Sequence, residues 1–121
     1  MSAKNFDALI LFTSNLQKAV AFYSAIGLVL EKEQHDDGPI HYVCDLKGVH
    51  FALYEAKPGQ AVKRGIGGGM QFGVQVDSLD EAVKACGAKT LIEPQSVPWG
   101  RRAVVEDPDG RPVELNQAVT Q

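Results

Sequence analysis

Leu16, Ala19, Val20 and Tyr23 follow the i, i+3, i+4, i+7 spacing of a helix with one buried face, and Leu79, Ala82, Val83 and Cys86 follow it again. Gly27 and Gly87 stand where each helix should end, because glycine tolerates the left-handed cap conformation. Ser78 and Glu81 have capping-box spacing, which fixes the start of the second helix. Each helix follows a strand-like run, Leu9 to Phe12 and Phe72 to Val76. Each also precedes three more such runs: Leu28 to Glu33, Ile40 to Leu46 and Val49 to Glu55, then Lys89 to Glu93, Arg101 to Glu106 and Arg111 to Asn116. Lys47-Gly48 and Asp109-Gly110 supply turn chemistry for the two hairpins.

The second half thus repeats the first. Leu16 and Leu79 lie 63 residues apart, and Gly48 and Gly110 lie 62 apart, so two separate matches share nearly one offset. The expected class is α+β, with two βαβββ modules in one domain: module one at 1–56, a linker at 57–69 and module two at 70–121. The glycine run Gly65-Ile66-Gly67-Gly68-Gly69 precedes a strand rather than opening a helix, so it reads as linker and not as a phosphate loop.

Side chains alternate faces along a strand. One face collects Leu9, Leu11, Phe51, Leu53, Phe72, Val74, Val76, Val113 and Leu115, all apolar, and should lie under the helices. The other face carries Ala8, Ile10, Phe12, His50, Ala52, Tyr54, Gln71, Gly73, Gln75, Pro112, Glu114 and Asn116. That face is too aromatic for plain solvent exposure and too polar for a core, which suits the wall of a ligand cavity.

Composition narrows the partners. The chain has 121 residues and a net charge of −3, which gives no electrostatic case for nucleic acid or an anionic membrane. No run approaches the roughly 20 apolar residues of a membrane span, and we expect a cytoplasmic protein. Cys44 and Cys86 have no CxxC spacing and no neighbouring base or cation, so they read as reduced, unreactive thiols.

The run Leu16 to Gly27 with its Phe22-Tyr23, together with Asp107-Pro108-Asp109-Gly110-Arg111-Pro112-Val113-Glu114-Leu115, resembles the vicinal oxygen chelate superfamily of glyoxalases, extradiol dioxygenases, fosfomycin-inactivating enzymes and bleomycin-resistance proteins. The resemblance implies a cup-shaped mixed sheet with helices on its outer face and, in the enzymes, a divalent metal held by the first and last strands of each module. Those ligand positions fall on Ala8, Ala52, Gln71 and Glu114. Two alanines leave too few donors for a divalent ion. A rebuilt site would need Gln71, Glu114 and His50, with His41 as a further candidate; His35, in the polar run Glu33 to Gly38, is expected in solvent. Val97-Pro98-Trp99-Gly100-Arg101-Arg102 is similar to a stretch of the bleomycin-resistance branch. There Trp99 could stack on a flat ligand, and Arg101 or Arg102 could pair with a ligand anion or with Glu114.

The expected function is therefore metal-independent binding, or sequestration, of a planar or aromatic small molecule such as an antibiotic-type natural product. The expected ligand contacts are Phe12, His50, Tyr54, Gln71, Trp99, Arg102 and Glu114, with Phe12 and Tyr54 on the wall opposing Trp99. The alternative is a divalent-metal lyase or dioxygenase. A third reading makes Glu114 a general base whose pKa is raised by a partly apolar cup. We expect no cofactor, and a homodimer that covers the open sheet edges.

Overall fold

The computed structural model describes residues 1–60, 62 and 64–119. Its elements run β1 (Ala8–Thr13), α1 (Leu16–Ala25), β2 (Glu31–Glu33), β3 (His41–Leu46), β4 (Val49–Glu55), β5 (Phe72–Gln75), α2 (Leu79–Cys86), β6 (Thr90–Val97), β7 (Gly100–Glu106) and β8 (Pro112–Ala118). This is βαβββ twice, the two-module α+β class. The strands form two mixed sheets in the orders β1-β4-β3-β2 and β5-β8-β7-β6. In each sheet the first strand lies parallel to the last, and the others pair antiparallel. Residues 61 and 63 of the linker lie outside the described residues.

Local chemistry explains the boundaries. Asn15 caps α1 by accepting from the Lys18 amide at 3.0 Å, and Ser78 caps α2 by accepting from the Glu81 amide at 3.3 Å. Gly87 closes α2 at φ 58°, and the β3–β4 turn uses Lys47 and Gly48 at φ 47° and 85°. Two strands depart from expectation. β2 is only three residues long, because Leu28 and Leu30 before it turn into the core. β6 reaches Val97 rather than Glu93, with register shifts on both sides of Ile92. Pro94 lacks an N–H, and β6 tolerates it as the edge strand of its sheet.

The predicted apolar face is the core. Leu11, Phe51, Leu53, Val113 and Leu115 are buried against residues of both helices, with Leu9, Phe72, Val74 and Val76 packed at the margin. Tyr23 of α1 joins the modules: its ring centroid lies 5.1 Å from Phe51 in one sheet and 6.3 Å from Phe72 in the other. Both sheets thus turn their apolar faces toward one shared core. It follows that their mixed faces are turned away from that core.

A buried polar clamp fastens the two halves. Asp107 accepts from the Tyr23 hydroxyl at 2.6 Å and from Arg111 Nη1 at 3.0 Å. Asp109 accepts from Thr13 Oγ1, and from the Ser14 amide and hydroxyl at 2.8 and 2.7 Å. Arg111 also donates to the Phe12 carbonyl. Burial pushes the Asp109 pKa up, but its hydrogen bonds from Thr13 and Ser14 and the nearby Arg111 charge outweigh that and hold it below the ordinary value. The Asp107–Arg111 run, a turn and a family signature in the sequence, is in the structure the tie between the β7–β8 turn and the start of α1.

Candidate functional site

The mixed face of the second sheet holds a connected set of side chains. β8 carries Glu114 and Asn116, flanked in register by Gly73 and Gln75 of β5 and by Val104 and Arg102 of β7. Gln71 Nε2 donates to Glu114 Oε2 at 3.2 Å, and Arg102 Nη2 reaches the same oxygen at 3.4 Å. Arg102 Nε lies 3.1 Å from Glu114 Oε1 but makes no hydrogen bond, so this is a charge contact with poor angles. Partial burial raises the Glu114 pKa, yet donors from Gln71, Asn116 and Arg102 outweigh it and lower the value overall. The general-base reading needed a raised value. The polar neighbours lower it instead.

Trp99 sits at the tip of the β6–β7 hairpin, where Val97 pairs with Gly100. Gly100 has φ 141°, and a Cβ there would strike the Gln117 carbonyl of β8, so only glycine lets the hairpin lie this close. The indole folds back along the sheet and Nε1 donates to Asn116 Oδ1 at 3.1 Å. Trp99 is 55% exposed, so it does not cover the core edge. With Gly73, Gln75, Asn116 and Ala118 it lines a hollow of about 380 Å³. A Cβ on Gly73 would lie 3.1 Å from Asn116 Nδ2, so glycine keeps that hollow clear.

The mixed face of the first sheet is arranged separately. Phe12 and Tyr54 are neighbours, with centroids 5.8 Å apart, and Tyr54 stacks on His41 at 4.4 Å and 9°. His50 Nδ1 lies 3.1 Å from Asp45 Oδ1 on the adjacent strand. Phe12 lines a hollow of about 480 Å³ with Ile10, Gln60, Val62, Met70 and Arg111. That hollow shares no residue with the one at Trp99. Within one chain, therefore, Phe12 and Tyr54 do not form the wall opposite Trp99. Nor, within one chain, does His50 join Gln71 and Glu114, because His50 is on β4 of the first sheet and Glu114 on β8 of the second. Arg101 pairs with Asp80 at 3.1 Å rather than with Glu114. His35 is exposed as expected, but Glu33 lies 2.7 Å away.

The residues at the superfamily's ligand positions do not fit a divalent ion. Ala8 and Ala52 offer no donor atom, and Ala52 is fully buried. Glu114 is already neutralised by the Arg102 guanidinium, whose charge repels a metal cation. What the second face offers is an exposed indole, three side-chain amides and a compensated carboxylate, a surface suited to flat ligands with polar edges. Two contributions were not foreseen from the sequence: the clamp of Asp107, Asp109 and Arg111, and Asn116 as the support of Trp99. Position along β8 was the only available signal for Asn116.

Two βαβββ modules with mixed outward faces define the architectural class. The chain matches the Glyoxalase/Bleomycin resistance protein/Dioxygenase superfamily over residues 5–115, and it belongs to that superfamily. Solved structures agree on the fold. TnmS3, an antibiotic binding protein from Streptomyces sp. CB03234, is 24% identical with a TM-score of 0.69, covering 98% of this chain and 99% of its own. TioX from Micromonospora sp. ML1 is 24% identical with a TM-score of 0.64, covering 94% and 96%. A glyoxalase-related enzyme from Fulvimarina pelagi is 18% identical with a TM-score of 0.69, covering 95% and 88%. No curated protein matches the chain. Among the described residues no helix is long and apolar enough to cross a membrane.

Proposed function

We propose that the protein binds a planar or aromatic small molecule, of the antibiotic-type natural-product class, on the Trp99 face and without a metal ion. The carrying observation is the exposed indole of Trp99, pinned by Asn116 over an open hollow beside a carboxylate that Arg102 already compensates. A rigid exposed aromatic loses little entropy on binding and offers a full stacking face. The antibiotic binding protein TnmS3, with the same fold, supports the ligand class.

The unit is one domain, with modules at 1–56 and 70–121 and a linker at 57–69, and it works as a homodimer. Ile10, Phe12, Met70 and Trp99 are exposed apolar side chains on or beside the outward faces. A second copy would set the Phe12–Tyr54 wall of one chain opposite Trp99 of the partner subunit and so complete the cup. Sedimentation at micromolar concentration tests this; a monomer contradicts it. We place the protein in the cytoplasm, which suits the free thiols Cys44 and Cys86.

Calorimetric titration with planar aromatic antibiotics, of wild type and Trp99→Ala, tests the binding site. Loss of the stacking partner should weaken binding by about tenfold, from roughly 0.5–1.5 kcal/mol of ring geometry plus lost buried area. Equal affinity in a folded Trp99→Ala protein would remove the indole from the site.

A further inference from the structure

A second cluster lies on the outer edge of the first sheet, away from Glu114. Glu33 ends β2 and His41 opens β3, and the two are register partners across that hairpin. His35 stands in the connecting turn, two residues beyond Glu33. One ligand atom from each of Glu33, His35 and His41 lies within 4.8 Å of the others. Among the described residues no other group of three His, Cys, Asp or Glu side chains converges in this way.

We propose that Glu33, His35 and His41 form a binding site for one zinc-class divalent ion, with water completing the coordination. The donors are two imidazoles and one carboxylate, a set that zinc accepts as three protein ligands plus water. At zinc–ligand distances of about 2.0–2.2 Å, tetrahedral ligand atoms stand about 3.3–3.5 Å apart. His41 Nε2 and Glu33 Oε1 already stand 3.4 Å apart. His35 Nε2 sits closer to that oxygen, at 2.7 Å, and must swing outward; its side chain is 74% exposed and free to do so.

The surroundings hold His41 ready. Its Nδ1 lies 3.0 Å from the Pro39 carbonyl, an acceptor with no proton to give, so Nδ1 carries the hydrogen and donates. Nε2, the other ring nitrogen, faces Glu33 Oε1. A backbone partner on the far ring nitrogen is the usual support of a metal-ligating histidine. Stacking on Tyr54 fixes the ring plane, and the residue is buried. The turn that carries His35 is closed by Gly38 N donating to the His35 carbonyl at 2.9 Å and by Gln34 Nε2 donating to the Gly38 carbonyl at 2.9 Å. One carboxylate oxygen of Glu33 thus has an imidazole nitrogen on either side, from His35 and from His41.

The test uses the full chain, stripped with EDTA and titrated with zinc sulfate, with bound zinc measured after equilibrium dialysis. Wild type should take one zinc per chain and melt higher with it. Glu33→Gln and His35→Asn should each weaken uptake by at least about tenfold and abolish the melting shift. The His35 side chain is largely exposed and that of Glu33 partly so, so these variants should fold; circular dichroism checks that. No uptake at micromolar zinc overturns the proposal. So does zinc that survives both substitutions, or zinc that is lost instead on His50→Gln or on replacing Cys44 and Cys86 by serine.

Discussion

Arg111→Met tests whether the buried clamp holds the two modules together. The Arg111 side chain is 6% exposed and lies 3.0 Å from Asp107 and 3.5 Å from Asp109. Methionine keeps most of the volume but removes the cation that pairs with both buried carboxylates. Breaking a buried pair from one side costs about 3–5 kcal/mol, because the remaining charge is stranded. The lost donation to the Phe12 carbonyl adds to this. At about 2.1 cal/mol/K per residue, a chain of 121 residues has an unfolding entropy near 250 cal/mol/K. The expected loss is therefore about 12–20 °C in melting temperature, read by scanning calorimetry at neutral pH. The deficit should shrink in acid, where protonation relieves the stranded carboxylates. A variant that melts within a few degrees of wild type at neutral pH would refute the clamp as a source of cohesion.

The clamp also predicts a pH limb. Asp109 has a folded pKa below its unfolded value, so its stabilisation is present above about pH 4 and lost as pH falls through the lower folded value. Asp109→Asn should lower stability at pH 7 and flatten the melting profile below pH 4; an unchanged acid limb contradicts this assignment. Gly100→Ala should cost about 1–3 kcal/mol of stability from the forced backbone conformation and shift Trp99 emission, since the hairpin can no longer lie against β8. Unchanged emission would mean that Gly100 does not position the indole. Glu114→Gln should weaken cationic ligands more than neutral ones, because it removes charge and keeps shape; equal loss for both, by calorimetry, counts against an exposed role for that charge.

Periodicity carried most of the fold. Helix positions, the repeat and the apolar face follow from 3.6- and 2-residue patterns that local sterics enforce, and Leu11, Tyr23, Phe51 and Leu115 are buried as the pattern requires. Edges were less legible. Leu28 and Leu30 look like strand residues yet turn inward before β2, and β6 runs through Pro94, because edge strands answer to packing more than to propensity. The candidate site was legible as a list of one face, not as an arrangement. Gln71, Arg102 and Glu114 do meet, since Arg102 and Glu114 lie on paired strands of one sheet and Gln71 stands just before β5 beside them. Within one chain His50 and Phe12 lie on the first sheet and Glu114 and Asn116 on the second, because alternation gives the face of a strand but not which sheet it joins. The sign of the Glu114 pKa shift depended on Gln71 and Asn116, donors that spacing along the chain does not bring to a carboxylate.

Metal-free binding at Trp99 has a direct optical readout. Trp99 is the only tryptophan, so its emission reports that face alone. Its fluorescence should be followed during titration with planar aromatic antibiotics, with and without EDTA, in wild type and in Glu33→Gln. At least one compound should produce a saturable change with the same affinity in all of these conditions. Binding that vanishes on chelation, or no saturable change with any compound, would contradict the account.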